Sequence, residues 1–243
     1  MNKIYFYGDD FTVNWNTNNT PSKFTRPVED YFKNNLKGKG ITWTEHLATS
    51  FNKEEVNKGK HDCSNQDIID LLVQDLHTFD NTDTIVITTT PSYVFPIPYT
   101  DNVDKDNLVP INMWNSRNYK HSEEDNKYDP IPGSFKNDKK VKDNICKFAQ
   151  IFHHNKLHIW KLYYENIITG ICRYLDSKGI EYLYLPYTLW EDDMSIRFNQ
   201  INCKFERIYE ADNTYTDTHF SNHGHIQFKD YILRNKHLLK LPY

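Results

Sequence analysis

An apolar run, KIYFY over Lys3–Tyr7, ends at Gly8 and is followed at once by two carboxylates, Asp9 and Asp10. Far along the chain, in YTDTHFSNHGHIQF, an acid and an imidazole, Asp217 and His219, stand one residue apart. Side chains of these types do three kinds of chemistry. Paired carboxylates hold divalent cations, a single carboxylate attacks carbon, and an imidazole oriented by an acid takes up a proton. Two-metal nucleotidyl transfer needs a further acid on a strand preceding the YGDD turn, so that the metals sit about 4 Å apart. Only MNKIYF precedes Tyr7, and that chemistry is not expected here.

Two histidine groups invite a metal reading: His153, His154 and His158, and then Asp217, His219, His223 and His225. His154 and His158 lie one helical turn apart but lack the intervening Glu of a metalloprotease helix, and the second group has mixed spacing. Cys63, Cys146, Cys172 and Cys203 contain no CxxC pair, which argues against a zinc knuckle and against a dense disulfide frame. No metal and no cofactor is expected.

The elements that must carry the acids and the imidazole are legible from periodicity. Lys3–Tyr7 reads as a first, central strand. ITWTEHLATSF places Trp43, Leu47, Ala48 and Phe51 on one helical face, predicting a helix from about Thr44 to Asn52. After the polar NKEEVNKGKHDC, Ser64-Asn65 supply an N-cap for a helix bearing Ile68, Leu71, Leu72 and Leu76. Thr84–Thr90 is a β-branched run closed by Pro91 and reads as a buried parallel strand. From Pro96 to about Asp143 the pattern is lost. A helical pattern from Cys146 to Leu175, stopped by Gly179, then leads into the strand IEYLYLP. FERIYE could add a short strand, and GHIQFKDYILRNKHLL is an amphipathic helix with Ile226, Phe228, Ile232 and Leu233. Strands alternating with helices predict one α/β domain over 1–243, three-layered α/β/α around a mostly parallel sheet, with a long inserted loop at about 96–143. In such a fold ligands bind at the carboxyl ends of the strands, which is where Gly8-Asp9-Asp10 and Thr88–Thr90 fall.

The order of motifs resembles the SGNH (GDSL-type) hydrolases, whose fold is of this flavodoxin-like kind. FYGDDFT looks like the family's opening GDSFT, and DTHFSNHGH is similar to its closing block of an acid and a histidine before a last helix. Between them, Trp43, Leu47 and Ala48 match a first-helix pattern, VNKGKHDCSNQDII resembles the second block, and IVITTTPS falls where the third is expected. The resemblance implies that Asp217 and His219 are the acid and base, that Asp10 occupies the nucleophile position, and that Asp62, Ser64, Asn65 and Thr90 line the substrate side. A haloacid-dehalogenase pattern, with Asp10 and Thr12 as its second acid and its threonine, fails because its nucleophile position is Gly8.

The departures from the SGNH pattern bear on chemistry. Asp10 stands where the nucleophilic Ser is expected, Asp62 where an oxyanion-hole Gly is expected, and Thr90 where an Asn is expected. A histidine cannot activate a carboxylate as it does a hydroxyl, and the negative charge opposes a developing oxyanion. The expectation is an SGNH-like chain that has lost ester hydrolysis and serves as a binding or structural module, with other protein chains as partners in an assembly such as a phage particle. Asp10 and His219, if close, would form an ion pair. The alternative is an active hydrolase of carbohydrate esters or related small substrates, using His219 and Asp217 with an altered nucleophile. Ser64 as a replacement nucleophile is set aside because it reads as a helix cap.

Composition narrows the partners. A formal charge of -4, from 29 basic and 33 acidic residues, provides no extended basic field, so nucleic acid is not expected. Charged Asp9-Asp10 arrive before a signal-peptide core could form, and the apolar runs fall short of the ~20 residues of a membrane helix. A cytoplasmic or virion location, without signal peptide, transmembrane segment or membrane partner, is the expectation.

Overall fold

The structure is a computed structural model that describes residues 2–9, 12–13, 41–60, 63–90, 94–98, 108–112, 157–186, 205–206 and 220–240, with the backbone alone at 94–98, 108–112 and 157–161. Its centre is a four-stranded sheet of β1 (Lys3–Tyr7), β2 (Glu54–Asn57), β3 (Thr84–Thr88) and β6 (Glu181–Leu185), ordered β2-β1-β3-β6. All three pairings are parallel, with Phe6 opposite Val86 and Val86 opposite Leu183.

Successive side chains of a strand face opposite sides, and that alternation builds two cores. Tyr5, Tyr7, Ile85, Ile87, Tyr182 and Tyr184 face one side and pack against Ile68, Ile69 and Leu72 of helix α2 (Asn65–Asp75) and Ile168, Cys172 and Leu175 of helix α3 (Leu157–Ser177). Ile4, Phe6, Val86, Leu183 and Leu185 face the other, against Trp43, Leu47 and Ala48 of helix α1 (Trp43–Phe51) and Ile232 of helix α4 (Asn222–Asn235). Helices therefore cover both faces, and the α/β/α layering expected from the sequence is the observed one. Aromatic edges fill the second core, with Trp43 perpendicular to both Phe6 and Phe228 at ring separations of 5.5 and 5.1 Å.

Local chemistry sets the helix ends. Ser64 and Asp67 form a capping box at the start of α2: the Asp67 N–H donates to Ser64 Oγ, and the Ser64 N–H donates to Asp67 Oδ2 at 2.7 Å. At α1 the Thr42 N–H donates to Glu45 Oε2 at 2.8 Å. Asn52, at φ 52°, and Gly179, at φ 67°, turn the chain out of α1 and α3 into β2 and β6.

Two expectations need correction, and two more reach beyond the described residues. Glu54–Asn57, inside the polar stretch for which no element is expected, is a strand at the edge of the described sheet; it buries too little to show an apolar pattern. The region from Pro96 onward is not all irregular, because β4 (Val94–Pro98) and β5 (Leu108–Asn112) form an antiparallel pair. Pro96 lies directly opposite Pro110, and neither has an N–H, so this pair exchanges no backbone bonds. By alternation the bonded pairs are Phe95–Ile111 and Ile97–Val109, and Pro98 also falls at a non-bonded position. The prolines thus sit where a ribbon tolerates them and strip donors from its outer edges, which discourages further strands from adding. Of FERIYE, Phe205 and Glu206 are irregular and the other residues lie outside the described ones, as do 146–156 of the expected long helix. No helix among the described residues is long and apolar enough to cross a membrane.

Candidate functional site

The chain leaves β1, passes through α1 on one face to β2, then returns through α2 on the opposite face to β3. The sheet order therefore reverses between β1 and β3, and the carboxyl ends of these two strands flank the crevice where ligands bind in open parallel sheets. Gly8 and Asp9 continue β1, and Thr89 and Thr90 continue β3. Each helix leads back to the amino edge of the next strand or packs along the sheet in the same sense. The N-termini of α1, α2 and α4 consequently lie toward the carboxyl edge and bring positive dipole ends with them.

The turn after β1 is tightly built. The N–H groups of Thr12 and Val13 both donate to the Asp9 carbonyl, at 2.8 and 3.2 Å. Thr88 Oγ1 donates to the Tyr7 carbonyl at 3.1 Å and lies 2.6 Å from Thr12 Oγ1, so the Thr12 hydroxyl is the donor between them. These hydroxyls come so close to Gly8 that a Cβ there would sit 1.8 Å from Thr88 Oγ1 and 2.1 Å from Thr12 Oγ1. Glycine at position 8 is a steric requirement. The Gly8 carbonyl accepts from the Lys60 N–H and the Cys63 thiol, at 3.0 and 3.3 Å, and Asn57 Nδ2 donates to the Thr12 carbonyl at 2.7 Å. Asp9 is buried in this knot.

On the α2 side, Ser64 is wholly buried and its hydroxyl donates to Asp67 Oδ2 at 2.6 Å while accepting the Asp67 N–H. Ser64 is thus a helix cap, as its sequence context suggested. Asn65 is joined to Thr90 by two buried bonds, with Nδ2 donating to the Thr90 carbonyl at 2.7 Å and the Thr90 N–H donating to Oδ1 at 2.8 Å. Three of the expected site residues, Ser64, Asn65 and Thr90, therefore meet at the carboxyl edge. Asp10, Asp62, Asp217 and His219 lie outside the described residues.

Just beyond His219 in sequence, the closing block is well braced. Ser221 caps α4 by accepting the Gly224 N–H at 3.1 Å and donates its hydroxyl to Glu206 Oε1. The Ser221 N–H donates to the Glu206 carbonyl at 3.0 Å, and a Cβ on Gly224 would meet that same carbonyl oxygen at 2.1 Å. His225, 4% exposed, accepts the Trp43 N–H on Nδ1 at 3.2 Å, which ties the start of α4 to the start of α1. That nitrogen is consequently unprotonated and is not turned to a metal. Among the described residues no group of three His, Cys, Asp or Glu could hold a metal ion.

Sequence reasoning placed Thr88–Thr90 at the carboxyl edge, but it did not identify Thr88, Asn57 and Cys63 as builders of the turn. Their only signal is position: Thr88 ends a strand beside β1, and the other two lie inside the second motif block. Chemically, the hydroxyls of Thr12, Thr88 and Ser64 are each committed to a partner within the edge.

No protein-family profile and no curated protein matches the chain. Among solved structures it is similar to a protein of Desulfitobacterium hafniense DCB-2 assigned to the G-D-S-L lipolytic family, at 12% identity and a TM-score of 0.34, over 96% of this chain and 99% of that one.

Proposed function

We propose that this is an SGNH-hydrolase-like chain in which the carboxyl edge of β1 and β3 is kept as a binding or structural site after loss of ester hydrolysis. The observation that carries the reading is the commitment of three hydroxyls among the described residues of the edge, those of Ser64, Thr12 and Thr88. Ser64, the serine within the second motif block, is wholly buried and held by Asp67, so it does not replace the missing nucleophile at position 10. The turn around Gly8 supports the same view, since Thr12 and Thr88 brace backbone and each other. With Asp10 in the nucleophile position, His219 has no hydroxyl to activate. In this reading the partners are other protein chains of an assembly.

The test is hydrolysis of p-nitrophenyl acetate by the wild-type chain and by His219→Ala. Equal rates for the two are expected. Wild-type turnover that disappears in His219→Ala would establish the competing reading, an active hydrolase with an altered nucleophile.

A further inference from the structure

Helices α1 and α4 lie side by side over the second core, and their seam holds two histidines. His46 lies on α1, with its Nε2 buried and without a hydrogen-bond partner. His225, in the first turn of α4, accepts the Trp43 N–H on Nδ1 at 3.2 Å, and the Trp43 ring packs in turn against Phe228 of α4. Both imidazoles fit the closed seam only when neutral, because an imidazolium carries a proton on each nitrogen. On His46 that places a donor at the partnerless Nε2, and on His225 it displaces the Trp43 N–H from Nδ1.

The carboxylates nearby are already engaged and do not offset such charges. Glu45 Oε2 accepts the Thr42 N–H at 2.8 Å, Asp230 is paired with Lys229, and Glu206 Oε1 accepts the Ser221 hydroxyl. Burial and then the Lys229 ammonium hold the His46 imidazole toward its neutral form, against weaker pulls from Glu45 and Asp230. His225 stands in the first turn of α4 and is bonded to the first residue of α1, so the positive ends of two helix dipoles oppose a cation there. His223, the other titratable group of that turn, is exposed.

We propose that the seam between α1 and α4 is an acid latch: proton uptake by His46 and His225 parts α4 from α1, while the sheet and α2 keep their fold. The start of α4 is capped by Ser221, which also holds Glu206, so opening the seam reaches the edge where the candidate site lies. Each released imidazole titrates near the ordinary histidine value of about 6.5, so the latch is closed at neutral pH and shifts progressively toward the open form below it. The latch does not depend on whether the edge hydrolyses esters.

Hydrogen exchange read by mass spectrometry on the full chain at pH 7.5 and 5, with protection corrected for the intrinsic rate at each pH, tests the latch. Protection of α1 and α4 is expected to fall at least about ten-fold at the lower pH, while that of α2 changes less than about two-fold. In His46→Met/His225→Asn the new Asn keeps an oxygen acceptor for the Trp43 N–H that takes up no proton, and the fall in α1 and α4 should shrink to that of α2. An equal fall in all three helices, no fall in α1 and α4, or a fall that persists in the folded double variant overturns the proposal. If far-UV circular dichroism shows the double variant unfolded, His46→Met alone decides: a fall at least about three-fold smaller than in wild type supports the latch, and the wild-type fall overturns it.

Discussion

Asn65 and Thr90 are clamped by a reciprocal pair of buried hydrogen bonds, in which one side-chain amide satisfies both the N–H and the C=O of one backbone position. The clamp joins the first turn of α2 to the exit of β3, on the edge where the sheet order reverses. Asn65→Ala strands both Thr90 groups in a buried setting, and each unsatisfied group costs about 1–3 kcal/mol. A loss of about 2–4 kcal/mol in urea unfolding is expected. Asn65→Asp should also destabilise, because it keeps the acceptor for the Thr90 N–H but sets a carboxylate against the Thr90 carbonyl.

Gly8→Ala tests the turn that carries the acids. The added methyl overlaps the hydroxyls of Thr12 and Thr88, neither of which can withdraw without giving up its bond. A destabilisation of about 1–3 kcal/mol is expected, as for other overpacked buried sites. Thr88→Ala should be partly compensatory when combined with Gly8→Ala, since it removes the nearer of the two contacts. A double-mutant cycle in urea reads the coupling directly.

His46 sets a pH dependence of stability. Burial, with Lys229 adding to it, holds this imidazole below its ordinary value of 6.5, against opposing pulls from Glu45 and Asp230. Its Nε2 is buried without a hydrogen-bond partner. Because the folded value lies under the unfolded one, the unfolded chain takes up the proton first as pH falls. The stability tied to neutral His46 is full above about 6.5 and is lost as pH drops below it. Urea midpoints compared at pH 7.5 and 5 should show His46→Met with a flatter profile than wild type and no loss of stability at the lower pH.

Much of this architecture could be read in the sequence where one signal dominated. Lys3–Tyr7, Thr84–Thr88 and Glu181–Leu185 are buried on both faces and announce themselves as continuous apolar runs. Ser64 announced its helix because a buried cap has few chemical substitutes. Glu54–Asn57 was hidden, since an edge strand with a half-solvated face needs no apolar run. The β4–β5 ribbon was hidden by its prolines, which ordinarily argue against a strand and are tolerated only at the non-bonded positions they occupy. Within the site, the clamp between Asn65 and Thr90 and the knot of Thr12 with Thr88 depend on contacts between positions far apart in the chain, which no local pattern encodes.

The central point of the proposed function is that the edge holds no activated nucleophile. A serine-directed fluorophosphonate, followed by peptide mass spectrometry, tests this directly. The wild-type chain is predicted to carry no adduct at any serine or threonine, Ser64, Thr12 and Thr88 included, and Asp10→Ser to gain one at position 10 that is lost when His219→Ala is added. An adduct on the wild-type chain that vanishes in His219→Ala would contradict the claim.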